Sequence, residues 1–411
     1  MSVLKDKRIL LGVTGSIAAF KAADLASKLT QMDAQVDVIL TPAAEKFITP
    51  LTFQSVTGRR AFTESDLWGG EAHVLHVGLG RSADILVIAP CTANTIAKLA
   101  HGEADNLLTI TALAARGERS RTAQCPLLIA PAMDGGMFDH PATQENLARL
   151  KERGAYIAGP AEGHLASGLA GKGRLIEPAE LIGHIRFVLG RKGRLAAKKV
   201  VVSAGGTQEP LDPVRVLTNK SSGKQGYALA QAALDAGANV TLITTPTSLT
   251  PPVGVCVVNV QTAKEMMNAV LKESADADAL IMAAAVADFR PKQAAGNKMK
   301  KRDGIPQIEL EETEDILEAA AGQKSGMKRP RVVAGFAAES RDLLENAGEK
   351  LESKKLDFIA ANDISSKDAG FSVETNRVTL LFANGKQESL PLMSKAEVAD
   401  AIIERVAALL E

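Results

Sequence analysis

The chain has 411 residues, of which 46% are hydrophobic. This length is too great for a single ordinary hydrophobic core, so the chain is predicted to form two domains. Its 48 Lys and Arg residues balance 48 Asp and Glu residues, which argues against a nucleic-acid-binding or membrane-surface protein. Three cysteines without a CxxC pair, and no signal peptide ahead of the first strand, predict a reduced, cytoplasmic protein without structural zinc.

In the first half of the chain, apolar strands alternate with helices. Residues 8–13 predict a strand that ends in Thr14-Gly15-Ser16, and residues 17–30 predict the helix after it. Further buried strands are predicted over residues 36–40, 85–89 and 127–130. Continuous apolar runs separated by helices are typical of parallel strands that are covered on both faces.

The second half repeats this plan. Strands are predicted over residues 199–203, 239–244, 279–284, 331–335 and 358–361, and a late hairpin turns at Asn384-Gly385 after a strand at 377–382. A final helix is predicted over 394–410. We therefore expect two doubly wound α/β domains, residues 1–189 and 190–411, joined by a solvated basic linker at 189–199.

The turn after the first strand is a candidate phosphate site. Gly15 and Ser16 stand where the strand turns into a helix, so the backbone and the helix N-terminus could bind an anion, although a plain tight turn fits equally well. The motif is not G-x-G-x-x-G, and the second strand ends at Thr41 without an acidic residue for a ribose diol. A mononucleotide is favoured, and a dinucleotide-dependent oxidoreductase is the weak alternative.

The stretch APCTANTIAKLAHG, residues 89–102, follows a third strand. It places Thr92, Asn94 and Thr95 at the start of a helix. These side chains could cap the helix, or they could hydrogen-bond a flat ring at the carboxyl edge of the sheet, where open α/β folds bind their ligands.

The sequences GVTGSIAAFK, APCTANTIAKLA and APAMDGGM resemble the flavin-dependent cysteine decarboxylases. The resemblance extends over residues 9–382 to the bacterial phosphopantothenoylcysteine decarboxylases that are fused to phosphopantothenate–cysteine ligases. It implies a flavodoxin-like first domain that binds FMN, with Met133 in the cofactor site. It also implies trimeric flavin domains within a larger homo-oligomer, a dodecamer.

The same resemblance identifies His76 as a catalytic residue, but the chain departs from the family at two positions. Asp134 replaces an asparagine and Ser167 replaces the cysteine that protonates the product. We expect a working decarboxylase in which Asp134 stays protonated and shares the proton chemistry with His76, while Ser167 only orients. The alternatives are a thiol supplied by Cys91, or an impaired flavin domain that serves as an oligomerisation scaffold beside an active ligase.

Glycines and hydroxyls are concentrated in the sequence SAGGTQEPLDPVRVLTNKSSGKQG, residues 203–226. Gly205, Gly206, Ser221 and Ser222 could present N–H and O–H donors to a triphosphate or an acyl phosphate. The stretch is not a Walker loop, and two ordinary Gly-rich turns are the alternative. Its length and order resemble the ligase motif, which makes that alternative weak.

The ligase resemblance implies a reaction in two steps. CTP activates the carboxylate of 4′-phosphopantothenate as an acyl-cytidylate, and the amine of cysteine then attacks the acyl carbon. Asn219 would hold the intermediate, Lys298 would stabilise the charge that develops at phosphorus, and Asp288 would contact Mg²⁺ or the nucleotide. The further nucleotide-binding candidates stand after or just before the later strands: Phe336, Lys350 and Lys354. Asn362 and Asp363 are expected just past the strand that follows.

Overall fold

The computed structural model describes residues 3–68, 74–115, 125–321, 330–339, 342–363 and 373–411. The chain divides into two units, Ser2–Leu189 and Gly190–Glu411. None of the helices described within these ranges combines the length and the apolar character needed to cross a membrane.

The first unit alternates strands and helices along the chain. Its strands are β1 (Arg8–Val13), β2 (Gln35–Leu40), β3 (Ala61–Phe62), β4 (Ile85–Cys91), β5 (Leu127–Pro131), β6 (Tyr156–Ile157), β7 (Ala161–His164) and β8 (Ala170–Arg174). Its helices are α1 (Ala19–Gln31), α2 (Pro50–Thr57), α3 (Leu75–Ser82), α4 (Ala93–His101), α5 (Leu107–Ala115), α6 (Gly135–Asp139), α7 (Pro141–Glu152) and α8 (Pro178–Gly190).

The first six strands form one parallel sheet in the order β3-β2-β1-β4-β5-β6, and β7 and β8 form a separate antiparallel hairpin. Alternate residues of β1 pack on opposite faces. Ile9 and Leu11 pack with α1, α2 and α8, whereas Leu10 packs with α3, α4, α5 and α7. The predicted doubly wound parallel sheet is confirmed. It shares this plan with flavodoxin, while its strand order is the 3-2-1-4-5-6 order of dinucleotide-binding folds.

The second unit has more strands, several of them short. They are β9 (Lys199–Ala204), β10 (Gln208–Pro210), β11 (Val216–Thr218), β12 (Asn239–Thr244), β13 (Cys256–Asn259), β14 (Ala279–Met282), β15 (Phe289–Pro291), β16 (Leu310–Glu312), β17 (Val332–Glu339), β18 (Phe358–Asp363), β19 (Thr375–Asn376), β20 (Val378–Phe382), β21 (Gln387–Ser389) and β22 (Met393–Ser394). Its helices are α9 (Lys224–Asp235), α10 (Ala263–Ser274), α11 (Ile316–Ala321), α12 (Leu343–Ser353) and α13 (Lys395–Leu410).

Eight of these strands form a sheet in the order β13-β12-β9-β14-β17-β18-β20-β21. The first six are parallel, and β20 and β21 add an antiparallel edge with a turn at Gly385, whose φ is 80°. The second doubly wound sheet and the late hairpin are therefore confirmed. The prediction that Asn362 and Asp363 follow the strand is wrong, because the pairing of β18 with β17 and β20 carries the strand through them.

The prediction of a solvated linker over residues 189–199 is wrong for the backbone of this segment, which packs against the second unit. Its charged residues Arg191 and Lys192 are exposed, but Leu195 is buried at 1% exposure and its N–H donates to the carbonyl of Ala236 at 2.7 Å. A Cβ added at Gly193 would lie 2.3 Å from the same carbonyl oxygen. The segment is thus part of the second unit, and its glycine allows the close approach.

Candidate active sites

The first crevice opens where the strand order reverses, between the carboxyl ends of β1 and β4. Thr14 is buried there; its hydroxyl donates to the carbonyl of Pro90 at 2.8 Å and accepts from the N–H of Thr92 at 3.1 Å. Ligands of doubly wound sheets bind at this switch point. Thr14 holds the two strand ends together, a role that was not predicted although the residue follows a strand.

The hydroxyls predicted to bind a ring or a phosphate are also engaged within the protein. Thr41 donates to the carbonyl of Val13 and accepts from Ala44 N–H. Thr92 is the N-cap of α4 and accepts from the N–H of Thr95, which is buried, whereas Asn94 is exposed. Capping therefore accounts for Thr92, and a ligand contact by these residues stays a prediction.

Gly15 has a packing role that the sequence did not reveal. A Cβ added there would lie 2.5 Å from the Cβ of Ala43, so glycine allows the turn after β1 to approach the loop after β2. A side chain at Gly15 would therefore collide with Ala43, and a phosphate contact at Gly15 stays a prediction. Ser16 instead lines a cavity, and its hydroxyl accepts from Ala18 N–H at 3.2 Å.

That cavity, of about 350 Å³, lies between the start of α1, the loop after β5 and the β7–β8 hairpin. It brings together four of the predicted residues: Ser16, Met133, Asp134 and Ser167. His76 lies on α3 and does not line it. Gly173 holds the hairpin close to the loop. Its carbonyl accepts a hydrogen bond from Met133 N–H at 3.0 Å, and an added Cβ would lie 2.2 Å from Met133 O.

Asp134 and Ser167, the two departures from the decarboxylase family, contact each other. The Ser167 hydroxyl donates to Oδ2 of Asp134 at 2.6 Å, and Gly136 N–H donates to Oδ1 at 3.0 Å. These two hydrogen bonds hold the pKa of Asp134 below its ordinary value. These donors favour the ionised carboxylate and so oppose the predicted protonated Asp134, which stays a prediction for the site with a substrate carboxylate beside it. Cys91 is fully buried, and burial raises the pKa of its thiol, which opposes a role as proton donor.

Lys21 is a buried charge in the wall of this cavity that the sequence did not single out. Its side chain is 10% exposed, and its ammonium donates to Leu175 O at 3.0 Å and to Glu177 at 2.8 Å. The ammonium holds the pKa of Glu177 below its ordinary range. These bonds connect α1 with the chain after β8, across 154 positions of sequence, so no local motif could have predicted them.

The second crevice lies at the equivalent point of the second sheet, between β9 and β14. The Ser203 hydroxyl accepts from the N–H groups of Ala283 and Ala284, both at 3.1 Å, and the Thr207 hydroxyl accepts from Ala287 N–H at 2.9 Å. The segment after β14 is thereby fixed beside the Gly-rich stretch. The hydroxyls of the SAGGT sequence therefore hold the backbone of the segment after β14 in place. The prediction that this sequence binds phosphate did not include this role.

Asn219 reaches across this crevice. Its amide nitrogen donates to the carbonyls of Ala285 at 3.3 Å and Val286 at 3.0 Å, so Oδ1 is the atom that it can present to a ligand. A Cβ at Gly206 would lie 2.9 Å from Asn219 O, and one at Gly205, whose φ is +87°, would lie 2.1 Å from Thr245 Oγ1. Both glycines therefore bring protein segments together, and neither lines the cavity.

A cavity of about 590 Å³ occupies this crevice. It brings together seven of the predicted ligase residues: Asn219, Ser221, Ser222, Asp288, Phe336, Lys350 and Lys354. The first residues of α9 and α13 also line it. Lys298 is exposed on the loop after β15 and lies outside the lining, and this loop is held by Met299 N–H donating to Asp212 at 3.2 Å.

Lys354 has an acidic partner in the cavity wall. Its ammonium forms an ion pair with Asp315, just before α11. Burial opposes the ionisation of Asp315, but the hydrogen bonds from Lys354 and from Glu318 N–H outweigh it, so the pKa of Asp315 lies below its ordinary value. Within the described ranges no group of three or more His, Cys, Asp or Glu residues could hold a metal ion. A Mg²⁺ at Asp288 would therefore need phosphate oxygens and water as its other ligands.

Two family models match the chain and together cover nearly all of it. The flavoprotein family matches residues 2–189, and the C-terminal domain family of the DNA/pantothenate metabolism flavoproteins matches residues 195–410. The chain is 43% identical to the coenzyme A biosynthesis bifunctional protein CoaBC of Bacillus subtilis (strain 168), over 99% of this chain and 98% of the relative.

A second relative of the same name, from Mycobacterium tuberculosis (strain ATCC 25618 / H37Rv), is 42% identical over 97% of this chain and 96% of its own length. Among solved structures, the chain is similar to the C-terminal domain of a coenzyme A biosynthesis bifunctional protein CoaBC. That structure is 38% identical, covers 53% of this chain and 98% of its own, and superposes with a TM-score of 0.46.

Proposed function

The chain belongs to the family of the coenzyme A biosynthesis bifunctional proteins, enzymes that pair a ligase with a decarboxylase, and we propose how its two units divide this work. Residues 190–411 use CTP to join 4′-phosphopantothenate to cysteine. Residues 1–189, a flavoprotein unit, use FMN to decarboxylate the product to 4′-phosphopantetheine. The protein acts in the cytoplasm as a homo-oligomer, with trimeric flavin units in a dodecamer, as the family resemblance implies.

The ligase assignment is supported by one observation: the 590 Å³ cavity gathers Asn219 and Asp288 from two loops and Phe336 from strand β17 at the switch point of the sheet. The uncapped start of α9, after Gly223, supplies N–H groups for phosphates. Because its amide nitrogen donates to backbone carbonyls, Asn219 would hold the acyl-cytidylate through Oδ1.

Two ligase residues act once the nucleotide is bound. Asp288 holds Mg²⁺ jointly with the phosphates, since one carboxylate with phosphate oxygens and water is an ordinary magnesium site. Lys298 is exposed on its loop, and it reaches the phosphates when that loop closes over the cavity. Its ammonium then stabilises the negative charge that develops as pyrophosphate leaves.

The cavity of the first unit fits a flavin mononucleotide. Ser16 and the N-terminus of α1, which has no side-chain cap, line it, and the residue directly after β2 is Thr41 rather than an acidic residue that would hold the ribose of a dinucleotide. Bound FMN would supply the two-electron redox chemistry of the reaction. The apolar side chains of Ile17 and Phe20, exposed at 59% and 64%, offer a surface for the ring or for a neighbouring subunit.

The proton chemistry of the decarboxylase follows from the ionised Asp134. The carboxylate accepts the Ser167 proton and so fixes the direction of that hydroxyl, which orients the substrate. An ionised Asp134 cannot donate a proton, so we assign the acid to His76 on the family resemblance alone. The impaired-scaffold alternative is not favoured, because the replacement residues form a well-ordered pair.

The deciding experiment is an assay of the full-length protein with phosphopantothenate, CTP and cysteine that follows pyrophosphate and CO₂ separately. We expect both products, and CO₂ release should require the ligation product. Pyrophosphate without CO₂, even when phosphopantothenoylcysteine is supplied directly, would reject the decarboxylase. If neither pyrophosphate nor CO₂ forms, the assignment as a whole is rejected.

Flavin binding has its own test in the visible spectrum of the purified protein. Ser16→Asp keeps an acceptor for Ala18 N–H, so the turn should fold, but it brings a negative charge to the proposed phosphate site. We expect this variant to lose most of its flavin. Ser55→Asp, on the exposed face of α2, is the matched control and should stay yellow. Full flavin occupancy in Ser16→Asp would show that the phosphate lies elsewhere.

A further inference from the structure

A buried carboxylate lies beside the loop that carries Lys298. Asp212, in the turn between β10 and β11, has a side chain that is 0% exposed. Its Oδ1 accepts from the N–H groups of Val214 and Arg215, each at 2.8 Å. Its Oδ2 accepts from Met299 N–H at 3.2 Å, across 87 positions of sequence. One carboxylate thus joins two segments that lie far apart in the chain.

The turn is closed around this carboxylate. Leu211 N–H donates to Arg215 O at 2.9 Å, and the Arg215 guanidinium forms an ion pair with Oδ2 of Asp212 at 3.4 Å. Burial opposes the ionisation of Asp212, but the hydrogen bonds from the backbone N–H groups outweigh it, so the pKa of Asp212 lies below its ordinary value. A buried, ionised carboxylate holds its donors firmly, because a lost donor leaves buried charge uncompensated.

A second hydrogen bond ties the loop to the same turn. Ala295 N–H donates to Leu211 O at 3.0 Å. Ala295 and Met299 are half-buried, whereas Lys298 between them is exposed. Farther along the loop Ile305 is 97% exposed, so the loop is not held at that point. The loop is therefore fixed to the turn on both sides of Lys298.

The same turn belongs to the hairpin that leads to Asn219. The strands β10 and β11 pair antiparallel, and β11 ends at Thr218, directly before Asn219. The Thr218 hydroxyl donates to the carbonyl of Thr207 at 2.7 Å, which holds this end of the hairpin beside the Gly-rich stretch. Asp212 therefore fixes the loop of Lys298 to the hairpin that carries Asn219.

We propose that Asp212 is a positioning residue of the ligase: its carboxylate anchors the loop at the point from which Lys298 closes over the nucleotide. Asp212 acts through Lys298 and does not itself line the cavity. The inference rests on the proposed ligase function and adds the residue that sets the approach of Lys298 relative to Asn219. Displacement of a reacting group by about 1 Å can cost roughly 100-fold in rate, so an unanchored loop lowers the rate even when Lys298 is intact.

Asp212→Asn is the first test, because it separates the turn from the loop. The amide oxygen still accepts from the N–H groups of Val214 and Arg215, but the NH₂ group would face Met299 N–H, and two donors form no hydrogen bond. We expect pyrophosphate release from CTP and phosphopantothenate to slow about 10- to 100-fold, the usual range for a lost hydrogen bond to a charged group. Asp276→Asn, 76% exposed, is the matched control and should react as the unmodified enzyme does.

A double-mutant cycle decides whether Asp212 acts through Lys298. In a Lys298→Gln protein the loop no longer carries the charge, so adding Asp212→Asn should change the rate of pyrophosphate release by less than about twofold. If Asp212→Asn slows the reaction equally with and without Lys298, Asp212 only supports the fold and the proposal is overturned.

Trypsin measures the anchoring of the loop without the reaction. Lys298, Lys300 and Lys301 are exposed cleavage sites in the loop. In Asp212→Asn we expect cleavage in the loop to be about tenfold faster. Cleavage after Lys386, 64% exposed before β21, is the internal reference and should not change. An unchanged rate of cleavage in the loop would show that Asp212 does not hold it, which contradicts the proposal.

The outcomes distinguish failure of this inference from failure of the ligase function. Faster cleavage with unchanged pyrophosphate release would overturn the positioning role alone. No pyrophosphate from the unmodified enzyme would reject the ligase function and the positioning role with it, while faster cleavage would still establish the anchor.

A second variant covers the case in which thermal melting shows that Asp212→Asn does not fold. Met299→Pro removes the same hydrogen bond from the loop side and leaves the buried carboxylate with its other donors. It should slow pyrophosphate release about 10- to 100-fold, and Ile305→Pro, in the exposed part of the loop, is its control. Full activity of Met299→Pro would sink the proposal.

Discussion

The two units open a crevice at the same point of the same plan. The cavity of the second unit lies in its crevice, whereas the cavity of the first unit is lined by the chain after β1, the loop after β5 and the β7–β8 hairpin. Each crevice opens between the first and fourth strands of a parallel sheet, and in each a buried hydroxyl ties the strand ends together. Thr14 does so between β1 and β4, and Ser203 does so between β9 and β14. The shared geometry determines where a ligand can bind but leaves its chemistry open.

The loops around the crevices make the difference. In the first unit a hairpin brings Ser167 onto Asp134, beside the start of α1. In the second, helix starts bring Lys224 and Lys395 to a larger cavity. One crevice is thus equipped with a carboxylate–hydroxyl pair and the other with cations for phosphates and carboxylates. Repetition of a sheet therefore does not imply repetition of a function.

The largest expected effect tests the cationic character of the second crevice. Lys298→Gln removes the charge that we assign to the departing pyrophosphate, and it should slow pyrophosphate release about 100- to 1,000-fold. CO₂ release from supplied phosphopantothenoylcysteine should not change. Lys292→Gln, at the start of the same loop and 65% exposed, is the matched control. Full pyrophosphate release by Lys298→Gln would show that the loop has another role.

A matched pair of glycine variants should separate the two activities. Gly206→Ala would press a Cβ onto Asn219 O, 2.9 Å away, and Gly173→Ala would press one onto Met133 O, 2.2 Å away. Displacement of reacting groups by about 1 Å can cost roughly 100-fold in rate. We expect Gly206→Ala to lose pyrophosphate formation only, and Gly173→Ala to lose CO₂ release only.

The controls for this pair are Gly296→Ala and Gly171→Ala. An added Cβ at either position meets no atom within 4 Å, so both activities should persist. Loss of both activities in Gly206→Ala or Gly173→Ala would mean that the crevices are not independent. Melting curves recorded beside the assays identify any variant whose loss reflects unfolding.

The sequence predicted the strands far better than it predicted the side-chain contacts. The bounds of β1 and β12 agree with the prediction because uninterrupted apolar runs mark buried parallel strands. The two-residue strands β3 and β6 carry no such run and were not predicted. The end of β17 was predicted too early: the predicted strand stops at Gly335, whereas the sheet pairing continues to Glu339.

The sequence predicted the site residues that belong to recognisable motifs, but it did not predict the contacts between distant parts of the chain. Seven of the predicted ligase residues come from separate stretches of the chain and line one cavity at the carboxyl edge of the sheet, where the loops after parallel strands meet. The bond from Lys21 on α1 to the carbonyl of Leu175 could not be predicted, because it joins residues 154 positions apart in the sequence. The hydrogen bond from Ser167 that lowers the pKa of Asp134 was not predicted, because the hydroxyl is brought in by a hairpin 33 positions away.

A smaller effect tests the pair that distinguishes the first crevice. Asp134→Asn keeps an oxygen acceptor for the Ser167 hydroxyl, so we expect CO₂ release within a few-fold of the unmodified enzyme. Ser167→Ala removes the hydrogen bond and should slow CO₂ release about tenfold. Because the pKa of Asp134 lies below its ordinary value, the hydrogen bond from Ser167 to the ionised Asp134 should persist at pH values below the ordinary pKa of an aspartate.

The reverse pattern would revise the role of the carboxylate. An inactive Asp134→Asn with an active Ser167→Ala would mean that Asp134 itself transfers the proton. Ser65→Ala, an exposed serine outside this cavity, is the control for Ser167→Ala.

The smallest expected effect concerns the ion pair of Asp315 with Lys354, a feature of the second crevice. The folded pKa of Asp315 is lowered, so ionisation stabilises the fold above the ordinary pKa of about 4, and this contribution is lost as the pH falls through the lowered value. Because the pair is partly exposed, Asp315→Asn should reduce the free energy of unfolding at pH 7 by at most about 1 kcal/mol. The difference from the unmodified protein should shrink below about pH 4. Urea unfolding of Asp315→Asn, Lys354→Met and the double variant isolates the coupling between the two side chains, and a difference that grows in acid would contradict the assigned ionisation.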